Sequence, residues 1–338
     1  MKKNFVFLLV LILGTNITLV SAQEETSEFS AHGFNVLRIE QEDKLWVPLD
    51  KAGEVWAFME NKFVKDKEYL KSIDPEFDSY WYLEEFWDTY YDTPTFQMLE
   101  KQGGVRHRRR KNLTDPENIK SGRELMQIKI NDLDANPLNR GEIKFNIEPL
   151  AEKTSRSPQP DDSHSMIGLV DPKHRTDFKS RLVALGLDPY SMKEVLTVHD
   201  MRSRIFITKN KQPFMSISLD RADTSAWWVK YNFVEIEPEL NEIPYTEGDA
   251  TMRQYMEKVL GQIVNEIKTE FPFIEQNLTP KYNKSFDALK EKLPFFPLLV
   301  RARMNNIEGM LVTVIGVFAT FVFLGYLIAK TKKRFATQ

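Results

Sequence analysis

Over residues 38–239 apolar and polar positions alternate with a period of two in segment after segment, the signature of strands with one buried face. In 38–47, Glu40, Glu42 and Lys44 share one face, while Ile39, Leu45 and Val47 share the other. Arg106, Arg108 and Arg110 align in the segment 105–110. Gln127, Lys129 and Asn131 oppose Met126, Ile128 and Ile130, and Arg140, Glu142, Lys144, Asn146 and Glu148 oppose Ile143, Phe145 and Ile147. Further along, Arg202 and Arg204 oppose Ser203, Ile205 and Ile207. Ser216, Ser218 and Asp220 oppose Met215, Ile217 and Leu219, and Glu235, Glu237 and Glu239 oppose Val234 and Ile236. With a strand over 80–91, about eight strands are expected. Helical spacing is present at 52–67, 174–185, 249–269 and 282–292, and loop signals fall at 112–122 and 149–165. The pattern predicts an α+β domain of mainly antiparallel strands.

The polar faces are unusual in carrying charge of both signs. One such strand alone fits a half-buried strand facing water. Eight together, with helices to cover the apolar faces, predict an eight-stranded antiparallel β-barrel flanked by helices, its charged faces turned inward. Arg and Lys crowded into one lumen need an anion, and phosphate oxygens accept their hydrogen bonds well. Converging Glu side chains would repel that anion unless a hard divalent cation, Mg2+ or Mn2+, joins the two.

The ends of the chain add a membrane expectation. Lys2 and Lys3, the apolar run 5–13 and the small residues Ser21 and Ala22 predict a signal peptide over 1–22. The stretch 309–329 has no charge and is long enough to cross a bilayer, for which about 20 residues suffice. The basic tail 330–338 follows it and predicts a cytoplasmic end. Together these predict a single-pass type I membrane protein with its domain extracytoplasmic, whether periplasmic, luminal or extracellular. A net charge of -3 excludes a broad basic coat, so no DNA partner is expected and any anion site is local. The absence of cysteine excludes disulfides and thiolate metal sites. The five histidines show no metal-ligand spacing.

Several segments in order resemble one family. Glu40-Gln41-Glu42-Asp43-Lys44 is similar to the ExExK signature of the CYTH, or triphosphate tunnel metalloenzyme, superfamily. Tyr90-Tyr91-Asp92-Thr93-Pro94 followed by Gly104-Val105-Arg106-His107-Arg108 resembles its YYDTP and G-x-R-x-R segments. Met126-Gln127-Ile128-Lys129, Arg140-Gly141-Glu142 and Phe233-Val234-Glu235-Ile236-Glu237 resemble its later strands, and the resemblance covers 34–292. It implies a tunnel binding triphosphate, polyphosphate or a nucleoside triphosphate with one or two divalent metals. It also implies Glu40, Glu42, Glu235 and Glu237 as metal ligands, with Glu142 and Glu239 as further candidates, and Glu40, Glu42 and Lys44 as the catalytic set. Lys44, Arg106, Arg108, Lys129, Arg140, Arg202 and Arg204 are implied as phosphate ligands. The activity expected is metal-dependent hydrolysis of a phosphoanhydride bond. A polyphosphate-binding receptor or assembly subunit without turnover, or a polyphosphate polymerase, would use the same residues.

Overall fold

The computed structural model describes residues 36–115, 117, 122–131 and 136–307. Among the described residues ten antiparallel strands form one sheet: β1 (Arg38–Gln41), β2 (Leu45–Val47), β3 (Phe77–Asp92), β4 (Gly104–Asn112), β5 (Glu124–Ile130), β6 (Asn139–Asn146), β7 (Lys193–Lys209), β8 (Gln212–Ala226), β9 (Val229–Leu240) and β10 (Glu275–Gln276). Their order is β1-β6-β5-β4-β3-β7-β8-β9-β2-β10, and the sheet curls into a half-barrel.

The expected eight-stranded barrel is corrected at one segment above all. Residues 38–47, read as a single strand, are two. Glu42 N donates to Leu138 O at 3.1 Å and Asp43 N donates to Pro238 O at 3.0 Å, so the backbone changes partner within two residues. β1 therefore pairs with β6 and β2 with β9, on opposite sides of the sheet, and Glu42 itself bridges Glu239. The Pro238 carbonyl faces Asp43, which puts the missing N–H of this proline where the pairing with β2 has ended. The other addition, β10, pairs only Glu275 and Gln276 with Trp46 and Leu45, too short a run to show alternation.

The helices are α1 (Ala52–Glu60), α2 (Lys67–Ile73), α3 (Gln97–Glu100), α4 (Leu150–Ser155), α5 (Arg175–Ala184), α6 (Glu242–Glu247), α7 (Ala250–Glu270), α8 (Lys281–Lys292) and α9 (Phe296–Met304). α7 starts at Asp249, whose side chain accepts from Met252 N at 2.8 Å. Its buried Met256, Val259, Leu260, Ile263, Val264 and Ile267 recur at helical spacing. Together with α1 they cover Leu45, Val47, Ile217, Leu219, Val234 and Ile236 on the convex face. Phe178 and Leu182 of α5 cover Val105, Met126, Ile128, Ile143 and Phe145 on the other flank. Each such side chain contributes about 1.5–3 kcal/mol when fully buried, so the convex face fixes which way the alternating strands point. The charged positions are left on the concave side. α8 and α9 sit differently: Tyr282, Phe286, Leu289, Phe296 and Val300 pack on Val198, Ala222 and Phe233, positions in register with the inward charged residues, and so fill one end of the trough.

Among the described residues no helix is long and apolar enough to cross a membrane. The longest, α7, carries Arg253, Glu257, Lys258, Glu266 and Lys268, as a helix with one face in water does. The C-terminal transmembrane helix and the single-pass type I placement with an extracytoplasmic domain are corrected accordingly. The segments 1–22, 309–329 and 330–338 on which those expectations rest lie outside the described residues.

Candidate functional site

The concave face encloses a cavity of about 170 Å3 lined by residues from β1, β3 to β9, α6 and α8. Of the residues singled out from sequence, Glu40, Glu42, Lys44, Arg106, Arg108, Lys129, Arg140, Glu142, Arg202, Arg204 and Glu237 line it. Glu235 lies behind them, fully buried against α8, where Lys284 Nζ donates to it at 2.5 Å. The period-two pattern thus delivers all twelve to one region, because each strand turns its charged alternate positions inward and Glu42 and Lys44 continue that spacing between β1 and β2.

Lys129 pairs with Glu40, and Arg140 Nη1 donates to Glu42 Oε1 at 2.9 Å. Lys44 pairs with Glu237 and stands 3.2 Å from Glu42. On β4, Arg106 Nη1 donates to Asp88 Oδ2 at 2.9 Å, and Arg108 grips both oxygens of Asp88 at 2.7 and 2.6 Å. The Phe86 ring lies under the same group, with the guanidinium carbons of Arg108, Arg110 and Arg202 at 4.5, 5.1 and 5.3 Å from its centroid. Arg202 forks onto Asp220 and also donates to Glu237 at 2.5 Å, and Arg204 Nη2 donates to Glu239 at 2.8 Å.

Burial alone would raise the carboxylates, but Lys281, Lys44 and Arg202 hold Glu237 well below the ordinary range. Likewise burial opposes and Lys144 and Lys129 overcome it at Glu142. Glu239 goes the other way: burial and the nearby Glu40 carboxylate push it up to about 8, so the Arg204 charge facing it is only partly compensated near neutral pH. Burial and the Asp220 carboxylate push Asp200 up to about 6. Three guanidinium nitrogens of the lining, Nε of Arg110, Arg140 and Arg204, are buried with no hydrogen-bond acceptor. Such orphaned donors are costly unless an acceptor arrives.

Asp220, Glu235 and Glu237 each offer a carboxylate oxygen, all within 4.8 Å of one another, and Glu235 Oε1 has no hydrogen-bond partner. Oxygen donors of this kind and spacing fit a hard divalent cation such as Mg2+ or Mn2+. Lys281 at the start of α8 reaches the same place: its Nζ lies 2.7 Å from Asp200, 3.5 Å from Glu235 and Glu237, and pairs with Asp220. Of the six carboxylates expected from sequence as metal ligands, Glu235 and Glu237 are gathered with Asp220, and Glu239 faces Arg204. Glu40, Glu42 and Glu142 instead face Lys129, Arg140 and Lys144.

Sequence reasoning missed Asp88, Asp220, Lys281 and Lys284 as parts of the site. Asp220 was visible on the inward parity of its strand, but nothing in period or motif marked Lys281, whose place is set by the docking of α8.

A family model for the CYTH domain matches residues 59–257, more than half of the chain, and the chain belongs to the CYTH domain family. A search of curated proteins finds no match. Among solved structures, the chain is similar to a candidate adenylyl cyclase from Hippeastrum described as having a dominant triphosphatase activity, at 15% identity, covering 72% of this chain and 93% of that one, with a TM-score of 0.41. It is similar to a candidate adenylate cyclase from Bacillus halodurans at 16% identity, over 74% and 98% of the two chains, with a TM-score of 0.40. It is also similar to the Pct1 RNA triphosphatase of S. pombe at 10% identity, over 73% and 89%, with a TM-score of 0.34. The family assignment rests on the sequence model.

Proposed function

We propose that the cavity binds a triphosphate or longer polyphosphate chain together with a divalent cation, and that the protein hydrolyses a terminal phosphoanhydride bond. The observation that carries this reading is the set of three buried guanidinium nitrogens without acceptors, set in a lining that also holds paired carboxylates. Arg106, Arg108, Lys129, Arg140, Arg202 and Arg204 bind the anionic oxygens and spread their charge as the bond to phosphorus weakens. Asp88 keeps Arg106 and Arg108 oriented, which removes the entropy of ordering them at the moment of reaction. Asp220, Glu235 and Glu237 would hold the cation, with Glu40 and Glu42 on the neighbouring edge of the cavity. When bound, Mg2+ or Mn2+ supplies Lewis acidity toward a phosphoryl oxygen and offsets the charge of the chain.

The test is phosphate release from tripolyphosphate by the purified protein with Mg2+ or Mn2+ present. The expected result is turnover that depends on the metal, weaker metal dependence in Glu237→Gln, and reduced substrate affinity in Arg108→Ala. Absence of release from tripolyphosphate and from nucleoside triphosphates would contradict hydrolysis. Lys281 among the acidic side chains favours one second reading, a site that binds the anion without turning it over, and tight binding with no release would select it.

A further inference from the structure

Lys281 touches every acid of the group around Asp220: its Nζ lies 2.7 Å from Asp200 and 3.5 Å from both Glu235 and Glu237, and it pairs with Asp220. The same four carboxylates meet three other cations, Arg202 on Asp220 and Glu237, Lys44 on Glu237, and Lys284 on Glu235. All eight side chains are buried, so four negative charges stand against four positive ones away from bulk water. A divalent ion added to this balanced group would leave two buried positive charges without counter-charge, which is costly. Yet the carboxylates keep acceptor capacity. Asp200 Oδ1 and Glu235 Oε1 are buried with no hydrogen-bond partner, and oxygens of Asp220, Glu235 and Glu237 lie within 4.8 Å of one another.

Lys281 is the cation placed to leave. It alone of the four is in contact with Asp220, Glu235 and Glu237 together, so its ammonium holds the point on which they converge. Arg202 is forked onto Asp220 and lies against the Phe86 ring, Lys44 also faces Glu42 at 3.2 Å, and Lys284 is tied to the Asn277 carbonyl at 3.2 Å. Lys281 also lines the cavity, on the side shared with Arg140 and Arg204, whose Nε atoms lack acceptors. An ammonium on a flexible four-carbon stem can turn from the carboxylates to anionic oxygens in the cavity without moving its helix. α8 itself stays fixed by Tyr282, which stacks on Tyr90 and donates to Asp92.

We propose that Lys281 is an exchangeable counter-ion: in the free protein it holds the cation position, and a divalent ion enters only as a polyphosphate draws the ammonium into the cavity, an inference that rests on the cation reading of Asp220, Glu235 and Glu237. Metal and anion then bind as a coupled pair, each raising the affinity for the other. The test is a titration of the full chain with Mn2+ alone, the free ion being followed by its electron paramagnetic resonance signal. The protein forms compared are wild type, Lys281→Met and the double variant Lys281→Met with Glu237→Gln. Lys281→Met is expected to bind Mn2+ about tenfold or more tighter than wild type, a coupling of ordinary size, and Glu237→Gln is expected to abolish the gain. If Lys281→Met fails to fold, Lys281→Gln keeps an uncharged donor and gives the same comparison. Equal binding by wild type and the lysine variant, lost with Glu237→Gln, overturns the exchange alone. A gain that survives Glu237→Gln puts the ion elsewhere and overturns the exchange as well. Failure of every form to bind Mn2+ overturns the cation reading and this proposal with it.

Discussion

At the scale of single residues, Asp88 shows what holds the site together. It is 1% exposed and serves two guanidinium groups at once, so its removal leaves Arg106 and Arg108 buried without their counter-charge. Breaking a buried pair from one side costs about 3–5 kcal/mol, and Asp88→Ala is expected to lose stability of that order in chemical denaturation. A loss under about 1 kcal/mol would mean that solvent reaches these arginines and compensates them. The residues legible from sequence were those whose position follows from parity: Glu40, Glu42, Arg106, Arg108, Lys129 and Glu237 each fall on a charged face that repeats. Asp88 has the same parity as Glu84, Phe86 and Tyr90 on a strand rich in aromatic residues, and alternation alone does not say that two arginines of β4 will meet it. That fact belongs to the register, Asp88 opposite Arg108, which only the paired strands define.

At the scale of elements, α8 decides how one end of the trough is closed. Tyr282 stacks on Tyr90 with centroids 4.9 Å apart and planes at 7°, its hydroxyl donates to Asp92 at 3.0 Å, and Lys281 is carried into the acidic group beside it. The 282–292 helix was legible from its spacing, but its partner face was not, because an amphipathic stripe names a surface without naming what covers it. The split of 38–47 was hidden for a related reason. Charged residues recur with period two at Glu40, Glu42 and Lys44 straight across the break, and only the polar Gln41 and Asp43 interrupt the apolar face, while the change of hydrogen-bonding partner occurs in the backbone. Lys281→Met is expected to destabilise the protein, since Asp200, Asp220, Glu235 and Glu237 lose a shared cation. Mg2+ or Mn2+ is then expected to return part of the lost thermal stability, because a cation that binds only the folded state stabilises it by mass action. A melting temperature that metal leaves unchanged in this variant would show that these carboxylates do not accept a divalent cation.

At the scale of the whole molecule, the fold sorts three kinds of surface. Helices cover the apolar convex flanks, charge of both signs fills the middle of the concave side, and the two ends of the trough differ, one filled by α8 and α9 and one lined by aromatic rings. The antiparallel class and the inward turn of the charged faces followed from the sequence pattern, since seven charged strand faces fit one domain most economically when they share one side. Strand number and the shape of the closure did not follow, because a two-residue strand and a change of partner leave no periodic trace. The membrane expectation drew on segments outside the described residues, and no described helix supports it. The proposed function requires the concave face to be an anion site that works together with a metal. Its most direct test is the titration of tripolyphosphate into the purified protein with Mg2+ present and again after chelation. The expected result is binding that weakens markedly when the metal is removed. Binding of equal strength with and without metal, or no binding in either buffer, would contradict it.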